Sequence, residues 1–166
     1  NGLENSLAVV RPALYDAFAQ RVVLDVLAHE RPDYVQVGLT GLDILRNAWV
    51  QLAATGDDPL RARWTAVVEG YYRFLDRALG RIARAAGDDA LVVIASCPGI
   101  SAGRERLGLL VLHGPAINRG RAAAKDVMVV HLPENLAPTL LFALGLPTSE
   151  EQDGRLDPSW FSAGAL

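Results

Sequence analysis

Apolar residues recur at helical spacing in three segments of the chain. Segment 11–30 carries apolar residues at four-residue steps, namely Leu14, Phe18, Val22 and Val26. Such spacing predicts a helix with one apolar face. A shorter helical pattern covers 42–52, and the longest pattern covers 60–86. The apolar stripe of this long helix consists of Trp64, Val68, Tyr71, Leu75, Leu79, Ile82 and Ala86.

Short apolar runs between these helices predict strands at 34–39, 91–96, 108–113 and 127–132. The run at 91–96 is almost entirely apolar, which is typical of a strand covered on both faces in a parallel sheet. Asn135 and Gly145 bound a last predicted helix. Strands that alternate with helices predict an α/β sheet with right-handed crossovers, and we expect a single domain over 1–166.

The composition narrows the class of protein. The 166 residues are 51% hydrophobic and 21% charged with a net charge of −3, as in soluble globular proteins. We therefore expect no nucleic-acid partner and no membrane partner, and we favour the cytoplasm although the sequence does not fix the compartment. The single cysteine excludes an intramolecular disulfide and a cysteine-based zinc cluster.

Several short segments, taken in their order along 31–155, resemble one family. They resemble the C-terminal half of the alkaline phosphatase superfamily, in its type I phosphodiesterase/nucleotide pyrophosphatase branch. The segments are Pro32-Asp33-Tyr34, Gly41-Leu42-Asp43, Tyr72-Arg73-Phe74-Leu75-Asp76, Ser96-x-x-Gly99, Gly114-Pro115-Ala116-Ile117, Ala137-Pro138-Thr139-Leu140-Leu141, Gly145-Leu146-Pro147 and Asp153-Gly154-Arg155. The resemblance implies a truncated three-layer sheet with helices on both faces.

The resemblance also implies a metal site, but this chain has lost most of its ligands. Family members hydrolyse phosphate esters with two metal ions, commonly zinc, held by Asp and His. Asp43 occupies one ligand position, whereas Asn47 stands where the family has His. Cys97 and Pro98 replace an Asp-His pair, and Arg104 replaces a further His. We therefore predict no cofactor, and Arg104 becomes an anion-binding candidate because its guanidinium is always charged.

Three functions remain open. The first is a degenerate, non-catalytic phosphodiesterase-like domain with a structural, interaction or anion-binding role. The second is a fragment of a genuine phosphodiesterase or pyrophosphatase that binds zinc or another divalent metal pair. The third is a cysteine-dependent hydrolase or transferase, in which Cys97 is the nucleophile and His113 the base. Whether the chain is an enzyme is therefore undecided, and the sequence favours the non-catalytic role.

The family's nucleophile and one more ligand would lie before Asn1, so the resemblance implies that the chain is a C-terminal piece. A half-sheet exposes an edge strand or an apolar face, and both invite association. We therefore predict a homodimer, or association with an upstream half of the same protein.

Overall fold

The structure, a computed structural model, describes residues 2–53, 58–96, 100–101, 104–105, 109–118 and 133–162. The chain divides into two compact units, Asn1–Gly87 and Asp88–Leu166. The first unit is helical, and the second combines short strands with a short helix. The expectation of a single domain over 1–166 stays a prediction.

Three helices form the first unit. They are α1 (Gly2–His29), α2 (Gly41–Ala53) and α3 (Asp58–Ala86), and each of them packs against the other two. Leu45, Trp64 and Tyr71 form the buried core of the unit. The indole N–H of Trp49 donates a hydrogen bond to the Thr65 hydroxyl at 3.2 Å, which links α2 to α3. The helices predicted from 42–52 and 60–86 are therefore confirmed.

Helix α1 ends just before Pro32, as the sequence predicts. The structure places its last residue at His29, and Arg31 has a positive φ of 44°, a left-handed conformation that helical residues do not adopt. Pro32 follows and cannot continue the hydrogen-bond ladder. The strand predicted at 34–39 is wrong, because these residues cross from α1 to α2 without regular structure. An extended segment becomes a strand only when a neighbouring strand satisfies its backbone groups.

In the second unit, β1 (Val92–Ala95) pairs antiparallel with β4 (Leu110–His113). Two shorter strands, β2 (Ile100–Ser101) and β3 (Arg104–Glu105), form a separate antiparallel pair. The strands predicted at 91–96 and 108–113 are therefore confirmed as strands. Residues 92–94 are only half-buried and Ala95 is exposed, so β1 is not covered on both faces as predicted. The strand predicted at 127–132 lies outside the described residues.

Helix α4 (Leu136–Ala143) confirms the last predicted helix. Gly145 follows it with a φ of 69°, which glycine adopts without strain. Asn135 precedes the helix but makes no side-chain cap, and its side-chain oxygen instead accepts the Arg155 backbone N–H at 2.9 Å. The Asn135 side chain therefore holds the segment around Arg155 in place and does not cap α4.

Aromatic residues near the end of the chain form the packing centre of the second unit. Trp160 and Phe161 are both buried, and the Phe161 ring meets Phe142 of α4 edge-on with centroids 5.2 Å apart. The backbone of Asn118 donates to the Trp160 carbonyl at 2.9 Å. Trp160 therefore has a core role.

The prediction of a three-layer, alkaline-phosphatase-like α/β sheet is wrong. Within the described part of the chain, helix predominates and the strands form only two-stranded antiparallel pairs. Strands and helices do not alternate, because α1, α2 and α3 follow one another and pack on each other. The local turn and strand patterns are present, but the right-handed parallel crossovers that build a layered sheet are absent from these residues.

Candidate functional site

Two of the positions taken from the family resemblance lie together on α2. Asp43 and Asn47 are one helical turn apart, and both are exposed. The Asn47 side-chain amide donates to Asp43 Oδ2 over 3.5 Å, at the outer limit of a hydrogen bond. Asp43 also lies in the first turn of α2, where a carboxylate is stabilised by the helix dipole. In the structure, Asp43 and Asn47 contact each other on the surface of α2.

The remaining predicted positions are not brought into one site by the described residues. Cys97 and Pro98 lie outside the described residues. Arg104 belongs to β3, where its backbone pairs with Ser101. His113 ends β4 opposite Val92 and is exposed. Among the side chains that the structure describes, no group of three or more His, Cys, Asp or Glu residues could hold a metal ion.

A buried polar cluster joins the three helices of the first unit. The Asp16 side chain of α1 is completely buried, and its Oδ2 accepts the Tyr71 hydroxyl at 2.7 Å and the Gly41 backbone N–H at 3.1 Å. The Tyr71 oxygen also lies 3.2 Å from the Pro12 carbonyl oxygen. Asp16 thus satisfies the first N–H of α2 from another helix, where an acidic group is favoured.

Burial and the charge of Asp16 both keep the Tyr71 hydroxyl protonated, which is typical of a structural hydrogen bond. The pKa of Tyr71 is raised above its ordinary value of 10.0, first by burial and then by the hydrogen bond to Asp16 and its charge. Asp16 Oδ1 has no hydrogen-bond partner among the described residues. The hydrogen-bonded side chains of the cluster, Asp16 and Tyr71, are both buried. The cluster fixes how α1 sits against α2 and α3.

Asp16 is not among the residues that the sequence pattern marks as functional. The sequence did carry one signal for a buried carboxylate. Pro12, Asp16, Gln20 and Val23 follow one another at three- and four-residue steps and therefore share one face of the helix. All four are buried in the structure. The inward face of α1 therefore carries a carboxylate and an amide beside the apolar Pro12 and Val23.

Five large apolar residues of α1 lie on the opposite, solvent-exposed side. We call this surface the α1 outer face and define it by Val10, Leu14, Tyr15, Phe18 and Val22. All five are exposed, with fractions of 64% for Leu14, 62% for Tyr15 and 68% for Phe18. The sequence correctly predicted that Leu14, Phe18 and Val22 share a face, whereas Val26, the fourth residue of the repeat, is half-buried. The structure places this face toward solvent.

The size of the α1 outer face is unusual for a surface that faces water. If a residue of this size exposes roughly 200 Å² when free, the observed fractions amount to about 600 Å² of largely apolar surface. The largest apolar patch on a typical monomer is about 300–600 Å², and such patches are often functional. The α1 outer face lies at the upper end of that range.

The described residues also form a small cleft beside α1 and α3. It has a volume of about 220 Å³ and is lined by Gln20, Phe74, Ala78 and the guanidinium-bearing Arg77 and Arg81. Both arginines are exposed, and Gln20 is buried. The two guanidinium groups therefore lie in solvent at the edge of the contact between α1 and α3.

Comparisons with family models, with curated proteins and with solved structures found no match to this chain. Among the helices that the structure describes, none is both long enough and apolar enough to cross a membrane.

Proposed function

We propose that this chain is a non-catalytic protein-interaction module that associates through the α1 outer face. The observation that carries the proposal is the inverted pattern of α1, with polar Asp16 and Gln20 buried and Leu14, Tyr15 and Phe18 exposed. Water contact with this much apolar surface is unfavourable by roughly 25 cal/mol per Å². A second protein surface that covers the face removes this cost.

A further observation supports this role. The α1 outer face is built on a 28-residue helix that the Asp16 cluster holds against α2 and α3. A rigid helix presents an apolar surface with little loss of conformational entropy on binding.

The alternatives from the sequence remain less well supported. A phosphodiesterase fragment would need Asp43 and Asn47 to join further ligands, and a cysteine-dependent enzyme would need Cys97 close to His113. No arrangement among the described side chains favours either of them. The anion-binding role of Arg104 stays a prediction from the sequence.

Hydroxyl-radical footprinting of the purified chain tests the proposal. Tyr15 and Phe18 report on the α1 outer face, while the exposed Tyr34 and Tyr72 are matched controls outside it. As the protein concentration rises through the micromolar range, oxidation of Tyr15 and Phe18 should fall several-fold and oxidation of the controls should not.

Equal oxidation of all four residues at every concentration would contradict the proposal. Protection of Tyr15 and Phe18 only after lipid vesicles are added would contradict it as well, because the face would then bind a membrane surface instead of a protein.

A further inference from the structure

The two ends of the α1 outer face carry charges of opposite sign, Arg11 at one end and Asp25 at the other. Arg11, Phe18 and Asp25 follow one another at intervals of seven residues, which is close to two helical turns. They therefore lie along nearly one line on the helix, and all three are exposed. A cation stands at one end, an anion at the other and the large aromatic residue in the middle.

We propose that the α1 outer face binds the same face of a second copy of this chain, with the two α1 helices antiparallel and Phe18 at the two-fold axis. This inference rests on the proposed interaction function and identifies its partner. A two-fold axis at Phe18 brings Arg11 of each copy to the level of Asp25 of the other. It also brings Leu14 to the level of Val22, so that apolar residues meet apolar residues.

The charge pattern selects the antiparallel arrangement. In a parallel pair with the same register, Arg11 would face Arg11 and Asp25 would face Asp25, and both contacts are repulsive. In the antiparallel pair both ends are attractive, and the two-fold symmetry forms the ion pair twice. Asp25 already has a neighbour on its own helix, His29, whose Nδ1 lies 3.4 Å from the carboxylate. Both side chains are 69% exposed, so the carboxylate stays accessible to an arginine of the second copy.

The available area fits a dimer of modest affinity. If the whole face is covered in both copies, the pair buries at most about 1,100 Å² in total, just below the lower end of stable protein interfaces and within the range of weak, transient ones. The chain as a whole carries a net charge of −3, which disfavours an anionic lipid surface as the occupant.

Sedimentation equilibrium of the full chain, with charge reversals, tests this pairing. The wild type should show a monomer–dimer equilibrium and no larger species. Arg11→Asp and Asp25→Arg should each raise the dimer dissociation constant about tenfold, because each reversal replaces two attractive contacts by two repulsive ones. The double variant should return to within about threefold of the wild type, because the pair is restored with its polarity exchanged.

Two controls keep the result interpretable. Arg46→Asp changes the charge equally at an exposed position of α2 outside the α1 outer face, and it should leave the dissociation constant within about twofold of the wild type. Circular dichroism at 222 nm should show unchanged helix content in every variant, since all these positions are exposed.

The outcomes separate the two proposals. Footprint protection of Tyr15 and Phe18 together with a double variant that fails to recover would overturn the antiparallel pairing and leave the interaction function intact. A molar mass that grows without limit would have the same meaning, because a face that binds a different surface of the next copy does not close. A strictly monomeric chain with unprotected Tyr15 would overturn both.

Discussion

Replacement of Gly41 by alanine probes the buried cluster that orients α1. A Cβ atom at this position would lie inside van der Waals contact with the Tyr71 hydroxyl, 2.7 Å from Tyr71 Cζ and 2.8 Å from Asp16 Oδ2. Real Cβ atoms do not approach other heavy atoms so closely, so the Tyr71 ring or α2 must shift. Both are held, because Tyr71 is buried and its hydroxyl donates to the Asp16 carboxylate.

The expected cost follows from these contacts. Overpacking costs roughly 1–3 kcal/mol, and a lost hydrogen bond to a charged acceptor costs roughly 1.5–3 kcal/mol. The two costs are not additive. If the Tyr71 ring moves away from the new Cβ atom, the steric overlap is relieved but the hydrogen bond to Asp16 is lost. We therefore expect Gly41→Ala to lower the free energy of unfolding of the first unit by about 3 kcal/mol, a large share of a typical 5–15 kcal/mol.

Gly70→Ala is the matched control. Gly70 lies within α3, and a Cβ there would have no neighbour within 4 Å. Alanine is favoured over glycine in a helix by roughly 0.8–1 kcal/mol, so this variant should be stabilised by about that amount. The same chemical change is thus expected to have opposite signs at the two positions.

Urea unfolding followed by tryptophan fluorescence measures both effects. In a Trp160→Phe background the signal comes from Trp49 and Trp64, both in the first unit. A free energy of unfolding for Gly41→Ala within about 0.5 kcal/mol of its parent, comparable to ordinary surface substitutions, would refute the close approach of α2 to Tyr71. Equal destabilisation by Gly70→Ala would refute the assignment of the effect to steric contact.

Three further results are expected. Gly154→Ala should destabilise the second unit by about 3 kcal/mol in thermal unfolding, because its Cβ would collide with the backbone carbonyl of Glu134, which cannot turn aside as a side chain can. Asn135→Ala should cost about 1 kcal/mol in the same assay through the lost hydrogen bond to the Arg155 N–H; an unchanged midpoint would contradict that role. Since the pKa of Tyr71 is raised in the folded state, its stabilisation should be complete below about pH 10 and should decline as the pH rises further. Tyr71→Phe should therefore lose less stability than the wild type in urea titrations between about pH 10 and 12, and an identical decline would contradict the buried environment of this hydroxyl.

The helices of the first unit were largely predictable from the sequence, whereas the direction of the α1 face was not. The spacing of Leu14, Phe18 and Val22 states that these residues share a face, but periodicity carries no information about which surface covers that face. The structure instead buries Asp16, whose partners Gly41 and Tyr71 are 25 and 55 residues away in the chain. A contact at such separation leaves no local signal.

The fold class was missed for a related reason. The apolar run at 91–96 did indicate a strand, but a short run does not specify whether its neighbour is parallel or antiparallel. β1 pairs with β4, a strand that follows it after 14 residues, and their antiparallel register joins Val92 to His113. Short motifs around Asp43 and Asn47 survive as turn and helix-start signals, which many folds share.

Disulfide trapping across the two-fold axis tests directly whether two copies meet through the α1 outer face. In a Cys97→Ser background, Phe18→Cys should form an intermolecular disulfide under mild oxidation, because antiparallel helices in contact place facing Cα atoms within bonding range. Asp25→Cys should not form one, because the antiparallel pairing separates the two copies of residue 25 by about 21 Å along the helix axis at 1.5 Å per residue. Cross-linking at both positions would indicate parallel helices, and cross-linking at neither would contradict the contact itself.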